Sequence, residues 1–501
     1  MPARTLMVLG SMSSSGKSLI ATALCRIYRR RGWTVMPFKA QNMSNNAAVC
    51  SGGEIGRAQA VQAFAAQVEP CVDMNPILLK PEADSRSQVV VHGKVWGTFP
   101  ALEYYRHKKE LWQAVTYSLD ALRQQADLVI IEGAGSPVEL NLRQGDIVNM
   151  AVAQYAGAPC ILIGDVDCGG IFAQLLGTLM LFDAEERRYL RGFIVNKFRG
   201  ELELFTAAIA ILEERSALPV LGVVPYLRQH GVADEDAVVL EREVDAVSGQ
   251  TKPEIAVIRF PHISNFDDFD PLIAEPGLCL RYVDSPDQLY PCPKAIILPG
   301  TKSTVEDLRW MNKSGLSDRI QQLALQGVSV VGICGGYQMM GSTIHDLQHV
   351  ESGQDVTPGL NLLPTATSFG AEKSTFRSRA RVLARDGFWQ CLNGTVIEGY
   401  EIHLGHTETS RPLLQIVEQE NKEVCILDGC SSADGKIFGT YLHGIFENDH
   451  LRRAWLKSLG VSPSPVSFRM RREEAYDRLA NAVEAVLDMR LLDRIIEEGV
   501  L

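Results

Sequence analysis

The sequence predicts an α/β protein of two domains, each built on a mostly parallel sheet with flanking helices. Short apolar runs rich in β-branched residues recur along the chain, and most run into glycine or polar residues followed by a helical pattern. The 501 residues, 46% of them hydrophobic, are enough for two or three cores. Because an acidic, polar interval covers residues 228–253, we expect domains at residues 1–230 and 252–501, the second with a helical C-terminal tail.

The bulk composition argues against several classes of protein. A formal net charge of −11 disfavours a nucleic-acid partner, and the one basic cluster, residues 29–31, is predicted to be a solvated helix end. The 11 cysteines lack CxxC spacing, so neither a disulfide framework nor a zinc site is indicated. Without a signal peptide or a long apolar run, we expect a cytoplasmic protein with small-molecule partners and no membrane contact. The oligomeric state stays open.

The first element is a buried strand at residues 5–10 that leads into a serine-rich loop and an amphipathic helix. Gly10, Gly16, Lys17 and Ser18 form G-x5-G-K-S, one residue longer than the usual phosphate-binding loop. In such a loop backbone N–H groups cradle phosphates, Lys17 neutralises them and the Ser18 hydroxyl faces Mg²⁺. We therefore predict an ATP site at Gly16, Lys17 and Ser18. A serine-rich turn before a helix is the alternative.

Later strands of this half also end in polar side chains. Residues 33–40 predict a strand followed by the loop QNMSNN, whose amides favour turn formation over substrate contact. Another buried strand ends at Glu132, and two more end in polar pairs. Ligands of open α/β sheets collect at the carboxyl ends of strands, so Glu132 is a predicted metal ligand, with a loop-capping acid as the alternative. The polar pairs are Asp165 with Asp167 and Asn196 with Lys197, and Asn196 is a predicted ATP contact.

The second half centres on residues 328–341, VSVVGICGGYQMMG. Apolar, β-branched residues run directly into Cys334, and Gly332, Gly335 and Gly336 surround it. This pattern predicts a nucleophile elbow that holds the thiol at the start of a helix, where backbone N–H groups favour a thiolate and bind an oxyanion. The alternative is a buried, apolar cysteine without chemistry.

A nucleophilic thiol requires a base and an oxyanion hole. His443 is the predicted base, because it follows a predicted strand and precedes glycine in YLHG. His403 and His406 in EIHLGHTE are competing candidates. Glycine turns let backbone N–H groups point at a substrate, so Gly300 and Gly335 are the predicted oxyanion donors.

Together these motifs carry a resemblance over nearly the whole chain. GICGGYQ, LPGTKS and YLHG resemble the class I glutamine amidotransferase domain, and GSMSSSGKS, IEGAGS and GDVD resemble the dethiobiotin-synthetase-like ATP domain. Their order, with QNMSNN, EIGRAQ, MNPILLKP, NKFRG and YEIHLGHT between them, closely resembles the cobyric acid synthase family of the cobalamin pathway. The resemblance implies an ATP-dependent amidoligase domain at residues 1–230 and an amidotransferase domain at residues 252–501.

The resemblance also implies a glutamine-hydrolysing carbon–nitrogen ligase. Cys334 would attack the side-chain amide of glutamine to form a thioester, with His443 moving protons and ammonia leaving. MgATP would convert carboxylates of adenosylcobyrinic acid a,c-diamide into acyl phosphates, which ammonia would turn into amides. Four peripheral carboxylates, b, d, e and g, would react in turn to give adenosylcobyric acid.

One position departs from the wider amidotransferase pattern. Many class I members carry an acid two residues after the histidine, but Ile445 stands there in this chain. The cobyric and cobyrinic acid branch typically lacks this acid, so what orients His443 stays open, with Glu447 as a candidate and a surface acid as its alternative.

Two other functions compete with this hypothesis. One is cobyrinic acid a,c-diamide synthase, which performs the same two chemistries on other carboxylates. The other is a partition-type ATPase with an inactive amidotransferase-like module. The presence of both Cys334 and His443, and the lack of a basic surface run, argue against the partition-type ATPase.

Overall fold

The computed structural model describes residues 2–82, 86–227, 230–232 and 252–500, with the backbone alone at residues 371 and 372. The chain forms two compact units. The first comprises Met1–Ser44, Cys50–Glu235 and Arg472–Leu501, and the second comprises Asn45–Val49 and Asp236–Arg471. Most of the interval in which the sequence placed the domain boundary, residues 228–253, lies outside the described residues.

Strands and helices alternate through the first part of the chain. The strands are β1 (Arg4–Gly10), β2 (Val35–Phe38), β3 (Gln41–Met43), β4 (Ala47–Cys50), β5 (Gly53–Gly56), β6 (Ile77–Pro81), β7 (Arg86–Val91), β8 (Lys94–Pro100), β9 (Leu128–Glu132), β10 (Cys160–Asp165), β11 (Leu190–Phe198) and β12 (Val220–Pro225). The helices are α1 (Lys17–Arg30), α2 (Arg57–Ala65), α3 (Ala101–Arg106), α4 (Lys108–Arg123), α5 (Met150–Ala156), α6 (Ile171–Leu181), α7 (Ala184–Arg187) and α8 (Leu202–Ser216).

The main sheet of the first unit has six strands in the order β12-β11-β10-β1-β9-β2, and all of its pairings are parallel. β9 and β10 are buried along their whole length, as expected of parallel strands covered on both faces. Parallel strands end at the same edge of a sheet. Glu132 at the end of β9 pairs with Val8 of β1, and Asp165 at the end of β10 pairs with Asn196 of β11. A second sheet in this unit has the order β3-β6-β7-β8.

The second unit carries a larger, mixed sheet. Its strands are β13 (Glu254–Ile258), β14 (Cys279–Val283), β15 (Ala295–Leu298), β16 (Ser329–Ile333), β17 (Thr343–His345), β18 (Val356–Pro358), β19 (Thr365–Val382), β20 (Val396–Thr409), β21 (Pro412–Gln419), β22 (Lys422–Ser431) and β23 (Ile437–Thr440). Its helices are α9 (Asp270–Ile273), α10 (Thr304–Ser314), α11 (Leu316–Leu325), α12 (Gly335–Met340) and α13 (Asp449–Ser458).

The parallel part of this sheet positions three predicted site residues. The order is β14-β13-β15-β16-β23-β22-β21-β19-β17-β18, with β20 paired to β19. The strands from β14 to β23 pair in parallel, and the carboxyl ends of β15, β16 and β23 lead to Gly300, Cys334 and His443. Adjacent parallel strands therefore deliver the three predicted residues to one edge of the sheet.

The C-terminal helices differ from the sequence-based division of the chain. α14 (Phe468–Glu484) and α15 (Met489–Glu498) follow α13, and residues 472–501 belong to the first unit rather than to the second. Buried side chains of α14 share a core cluster with Leu24 and Tyr28 of α1. An amphipathic pattern shows that a helix buries one face, but it does not reveal which domain covers that face.

The basic cluster at the end of α1 is also not simply solvated. Arg31 lies 2.7 Å from Glu484 and 3.1 Å from Asp493, and Arg30 donates a hydrogen bond to Asn481. The sequence could not pair this cluster with acids more than 400 positions away. Among the described residues, no helix combines the length and the apolar character needed to cross a bilayer.

Candidate active site

Cys334 occupies a sharply strained turn between β16 and α12. Its backbone has φ 52° and ψ −112°, which few residues other than glycine adopt without support. The turn is held by its own N–H, which donates to Thr440 O at 2.9 Å, and by Gly336, where a Cβ would lie 2.0 Å from Leu298 O. The strand, turn and helix that the sequence predicted around this thiol are therefore present, and the side chain is mostly buried.

His443 lies beside the thiol. The residue follows β23, and Cys334 is one of the groups that raise its pKa. The Cys334 thiol itself donates to Ile402 O at 3.4 Å. Burial alone would lower the pKa of His443, but the charge and hydrogen bond of Asp268, together with those of Cys334, raise that pKa to about 10. At neutral pH the ring is therefore an imidazolium, and a neighbouring imidazolium stabilises a thiolate.

Asp268 is the acid that meets this histidine. Its Oδ2 lies 2.7 Å from His443 Nδ1, and its Oδ1 accepts the backbone N–H of Gly444 at 2.7 Å. Asp268 stands in a 3-10 helix, Phe266–Phe269, and is 2% exposed. Glu447 was the acid predicted from the sequence as a candidate, and Asp268 was not predicted. The only signal was the acid-rich stretch NFDDFD, which does not show which carboxylate faces the histidine.

One face of the imidazole is also held. The Tyr400 ring stacks on His443 with centroids 5.1 Å apart and an interplanar angle of 9°. Asn265 donates a hydrogen bond of 3.2 Å to the Tyr400 hydroxyl, so the segment that carries Asp268 also braces the stacking ring. The competing histidines make other contacts: the His403 ring stacks on Tyr441 and its Nδ1 is 3.1 Å from Gly405 O, and His406 is exposed.

The two predicted oxyanion glycines lie next to the reacting pair. Gly335 directly follows Cys334, and a Cβ there would be 2.6 Å from Thr301 Cγ2. A Cβ at Gly300 would be 3.0 Å from His443 Cε1. The second unit thus brings together all four of its sequence-predicted site residues: Cys334, His443, Gly300 and Gly335.

The phosphate loop of the first unit wraps around its own lysine. Lys17 Nζ donates to Met12 O at 3.0 Å and to Gly135 O at 3.1 Å. Gly16 has φ +99°, and a Cβ there would lie 2.0 Å from Asn196 Nδ2. Asn196 in turn donates to Ser15 O at 2.9 Å, so this predicted ATP contact holds the loop itself. Gly16, Lys17 and Asn196 therefore lie together, as the sequence predicted.

Glu132 lies at the centre of the same site. Its carboxylate accepts a hydrogen bond from Ser18 Oγ at 2.8 Å, an ion-pair contact from Lys39 Nζ at 2.8 Å and a hydrogen bond from Gln62 Nε2 at 2.5 Å. The carboxylate is 1% exposed, so these partners offset the cost of burying its charge. Neither Lys39 nor Gln62 was predicted as a site residue, although Lys39 lies within the strand predicted at residues 33–40 and directly follows the observed β2.

The other polar strand ends complete this edge. Lys197 Nζ lies 2.7 Å from Asp165 Oδ2 and also donates to Ser14 O at 2.7 Å. Asp167 pairs with Arg199 on the surface at 2.7 Å. Asp165 and Lys197 therefore tie β10 and β11 to the phosphate loop.

The residues near the loop suit a magnesium ion bound with a nucleotide. Mg²⁺ prefers oxygen ligands and is usually held by one or two carboxylates or hydroxyls together with substrate phosphates and water. Ser18 Oγ and the Glu132 carboxylate are such oxygens and already lie within hydrogen-bond distance of each other. Among the described residues, no group of three or more His, Cys, Asp or Glu side chains forms a self-sufficient metal site.

Comparison with known proteins identifies the family. Residues 6–236 match the CobQ/CobB/MinD/ParA nucleotide binding domain, and residues 254–451 match the CobB/CobQ-like glutamine amidotransferase domain. A cobyric acid synthase from Roseiflexus castenholzii is 52% identical over 508 residues, covering 100% of both chains. This chain belongs to the cobyric acid synthase family. A second family member, from Dehalococcoides mccartyi, is 47% identical over 505 residues and covers 99% of each chain.

Membership in the cobyric acid synthase family confirms several predictions. The chain is an α/β, glutamine-dependent ligase with a nucleotide-binding domain and a glutamine amidotransferase domain, and it belongs to cobalamin biosynthesis. A solved structure of PurLQS from Thermotoga maritima covers 42% of this chain and 100% of that chain at 19% identity and a TM-score of 0.33. A TM-score this low supports no further inference.

Proposed function

We propose that this chain catalyses the ATP- and glutamine-dependent amidation of the b, d, e and g carboxylates of adenosylcobyrinic acid a,c-diamide, which yields adenosylcobyric acid. One observation carries the proposal. A thiol beside an imidazolium and a phosphate loop beside a buried carboxylate occur in one chain that matches cobyric acid synthases over their full length. An ammonia source and an ATP-driven activation site are the two parts that such an amidation needs.

The first step supplies ammonia. The Cys334 thiolate attacks the side-chain carbonyl carbon of glutamine, and the oxyanion that forms is stabilised by backbone N–H groups at Gly335 and Gly300. His443 gives its proton to the departing nitrogen, the C–N bond breaks, and ammonia leaves a glutamyl thioester behind. Water then attacks the thioester with His443 as the base, which releases glutamate and restores the thiolate.

The second step activates the acceptor. A carboxylate is a poor electrophile until one of its oxygens becomes a good leaving group. A carboxylate oxygen of the corrinoid attacks the γ-phosphorus of ATP, and ADP leaves. The backbone of the loop, with Gly16, Lys17 and Asn196, orients the phosphates. Magnesium bound at Ser18 and Glu132 would neutralise phosphate charge. Ammonia then attacks the acyl carbon, and inorganic phosphate departs.

The buried lysine beside Glu132 suits this activation. Lys39 and Glu132 neutralise each other in a site that is closed to water, so neither charge is left uncompensated before substrates bind. Lys39 Nζ and Ser18 Oγ both contact Glu132 Oε1. The Lys39 ammonium is therefore placed to stabilise the negative charge that spreads over the transferred phosphoryl group when a nucleotide binds.

The test is an assay of the purified chain with ATP, glutamine and candidate corrinoids, read by mass spectrometry. The proposal expects adenosylcobyrinic acid a,c-diamide to gain four amides, each replacing a hydroxyl by an amino group. Amidation of cobyrinic acid at the a and c positions alone would identify an a,c-diamide synthase instead. ATP binding without either product would overturn the proposal.

The thiol has its own test. In Cys334→Ala we expect glutamine-supported synthesis to disappear, because no thioester can form, while synthesis from added ammonium at alkaline pH persists. The alkaline pH matters because only free ammonia is nucleophilic. Cys430→Ala, which removes another buried thiol of the same unit, is the matched control and should keep both activities. If Cys334→Ala lost neither activity and still made product from glutamine, the assignment of the thiol would be contradicted.

A further inference from the structure

We propose that Asp268 is the positioning residue of the glutaminase site and replaces the acid that many class I amidotransferases carry two residues after the histidine. This inference rests on the proposed glutamine hydrolysis at Cys334. The position of the usual acid is taken by Ile445, which is buried and apolar and cannot accept a proton or a hydrogen bond. The carboxylate arrives instead from a segment about 175 positions earlier in the chain.

The geometry fixes the protonation pattern of His443. A carboxylate only accepts, so the 2.7 Å contact with Asp268 Oδ2 requires a proton on Nδ1 of the histidine. That leaves Nε2 for the thiol, which is the nitrogen that must take and return the catalytic proton. Asp268 cannot turn away easily, because its other oxygen is held by the backbone N–H of Gly444.

The rest of the segment supports the same function. Asn265, three positions before Asp268, holds the hydroxyl of Tyr400, whose ring covers one face of the imidazole. Ser264 donates its backbone N–H to Gly300 O at 2.9 Å, which anchors the glycine that lies against His443 Cε1. Residues 264–268 thus fix the edge and one face of the histidine and the position of one predicted oxyanion donor.

The Asp268 carboxylate raises the pKa of His443. The titratable groups that face the His443 ring are Asp268 from the 3-10 helix, Cys334 from the elbow and Tyr400 from β20. Burial lowers the pKa of His443, and the Asp268 carboxylate is the main group that raises it. Without that charge His443 binds its proton less tightly, and Cys334 loses the positive charge beside it. The imidazolium needed to protonate the leaving nitrogen is then lost at lower pH.

The experiment measures the pH dependence of Cys334 alkylation by iodoacetamide in the full-length protein, followed on the Cys334 peptide by mass spectrometry. Exposed Cys391 serves as the internal standard. In Asp268→Asn we expect the midpoint of Cys334 alkylation to move upward by at least one pH unit, and the glutaminase kcat/KM at pH 7 to fall roughly 100-fold or more, as for loss of general acid–base catalysis. The alkaline limb of the glutaminase profile should move downward.

Control variants distinguish a specific effect of Asp268 on His443 from a general disturbance of the fold. Asp267→Asn removes an adjacent buried carboxylate of the same 3-10 helix, and Glu447→Gln removes the acid that the sequence suggested; both should keep the wild-type alkylation midpoint. An unchanged midpoint in Asp268→Asn overturns the proposal. If Asp268→Asn does not fold, Asp268→Glu, which retains the charge, decides: a wild-type midpoint supports the proposal and a raised midpoint overturns it.

The outcome is distinguishable from a failure of the proposed function. If the wild-type chain hydrolyses no glutamine, the proposed function fails, but the alkylation series still tests whether Asp268 controls the thiol through His443. If the wild type hydrolyses glutamine and Asp268→Asn behaves like it in both assays, only the positioning proposal fails.

Discussion

At the scale of single residues, the glutaminase site depends on a glycine that leaves room for the histidine. Gly300 lies so close to His443 that a methyl group would sit 3.0 Å from Cε1, which is tighter than ordinary van der Waals contact. The ring cannot retreat freely, because Asp268 holds its edge and Tyr400 its face. A small addition at Gly300 therefore shifts the imidazole relative to the thiol.

For Gly300→Ala we expect glutaminase activity to fall roughly 10- to 100-fold, since displacements of about 1 Å in catalytic geometry cost on this order. Synthesis from added ammonium should be unchanged, because the phosphate loop belongs to the other unit. Gly353→Ala, where a Cβ meets nothing within 4 Å, is the control and should match wild type. Equal activities in the two variants would show that His443 tolerates the added methyl.

A second residue-scale prediction concerns Glu132. In Glu132→Gln the carboxylate that pairs with Lys39 is replaced by a neutral amide, which leaves a buried ammonium without its counter-charge. We expect ATP-dependent synthesis to fall at least 100-fold with either nitrogen donor, while glutamine hydrolysis at Cys334 is retained. Product formation and glutamate release, measured in parallel, check this. Glu139→Gln, an exposed acid nearby in sequence, should leave both rates unchanged.

These residues also show which parts of the two sites can be predicted from the sequence. Cys334, His443 and Lys17 were predictable because each lies in a local pattern of strand, glycine turn and helix. Asp268, Lys39 and Gln62 were not, because their importance comes from contacts across 175, 93 and 70 positions. No local periodicity encodes such a contact. The missing acid at Ile445 indicated that a partner for His443 had to come from elsewhere, but not from where.

At the scale of elements, the helix that follows the phosphate loop is clamped by charges from the end of the chain. Arg26 of α1 is buried and makes two contacts with Asp477, at 2.9 and 3.0 Å, and one with Glu473 at 2.9 Å. Its guanidinium fork suits this bidentate geometry. Sequence periodicity predicted α1 and the C-terminal helices, but the pairing of these helices depends on tertiary contacts.

For Arg26→Ala we expect α1 to lose roughly 2–3 kcal/mol of local stability, less than the 3–5 kcal/mol for breaking a fully buried pair, because Asp477 is 45% exposed. Urea-dependent hydrogen exchange of α1 amides measures the loss. Arg188→Ala, which breaks an ion pair exposed by 56% and 61%, should cost under about 0.5 kcal/mol. Similar losses in both variants would mean that the clamp adds no stability.

At the scale of the whole molecule, the first unit is discontinuous in sequence. Residues 472–501 complete its core after the chain has built the second unit. The outermost strand β12 also meets this segment: Asp488 donates its backbone N–H to Leu221 O at 2.7 Å. The first 230 residues contain the phosphate-loop motif but lack the C-terminal helices that pack on α1. The side chains of the segment that are buried in the shared core are Ala475, Tyr476, Leu479, Ala480, Val483, Leu487, Met489, Leu492, Ile495 and Ile496.

A chain that ends after Arg471 should lose ATP-dependent synthesis from both glutamine and ammonium. The truncation uncovers Leu24 and Tyr28 of α1, and burying one large apolar side chain contributes roughly 1.5–3 kcal/mol. The second unit keeps Cys334, His443 and Asp268, so the alkylation midpoint of Cys334 should stay at its wild-type value. A control chain that ends after Glu498 retains both C-terminal helices and should behave as wild type. Full synthesis by the chain that ends after Arg471 would contradict the view that these helices are part of the ATP unit.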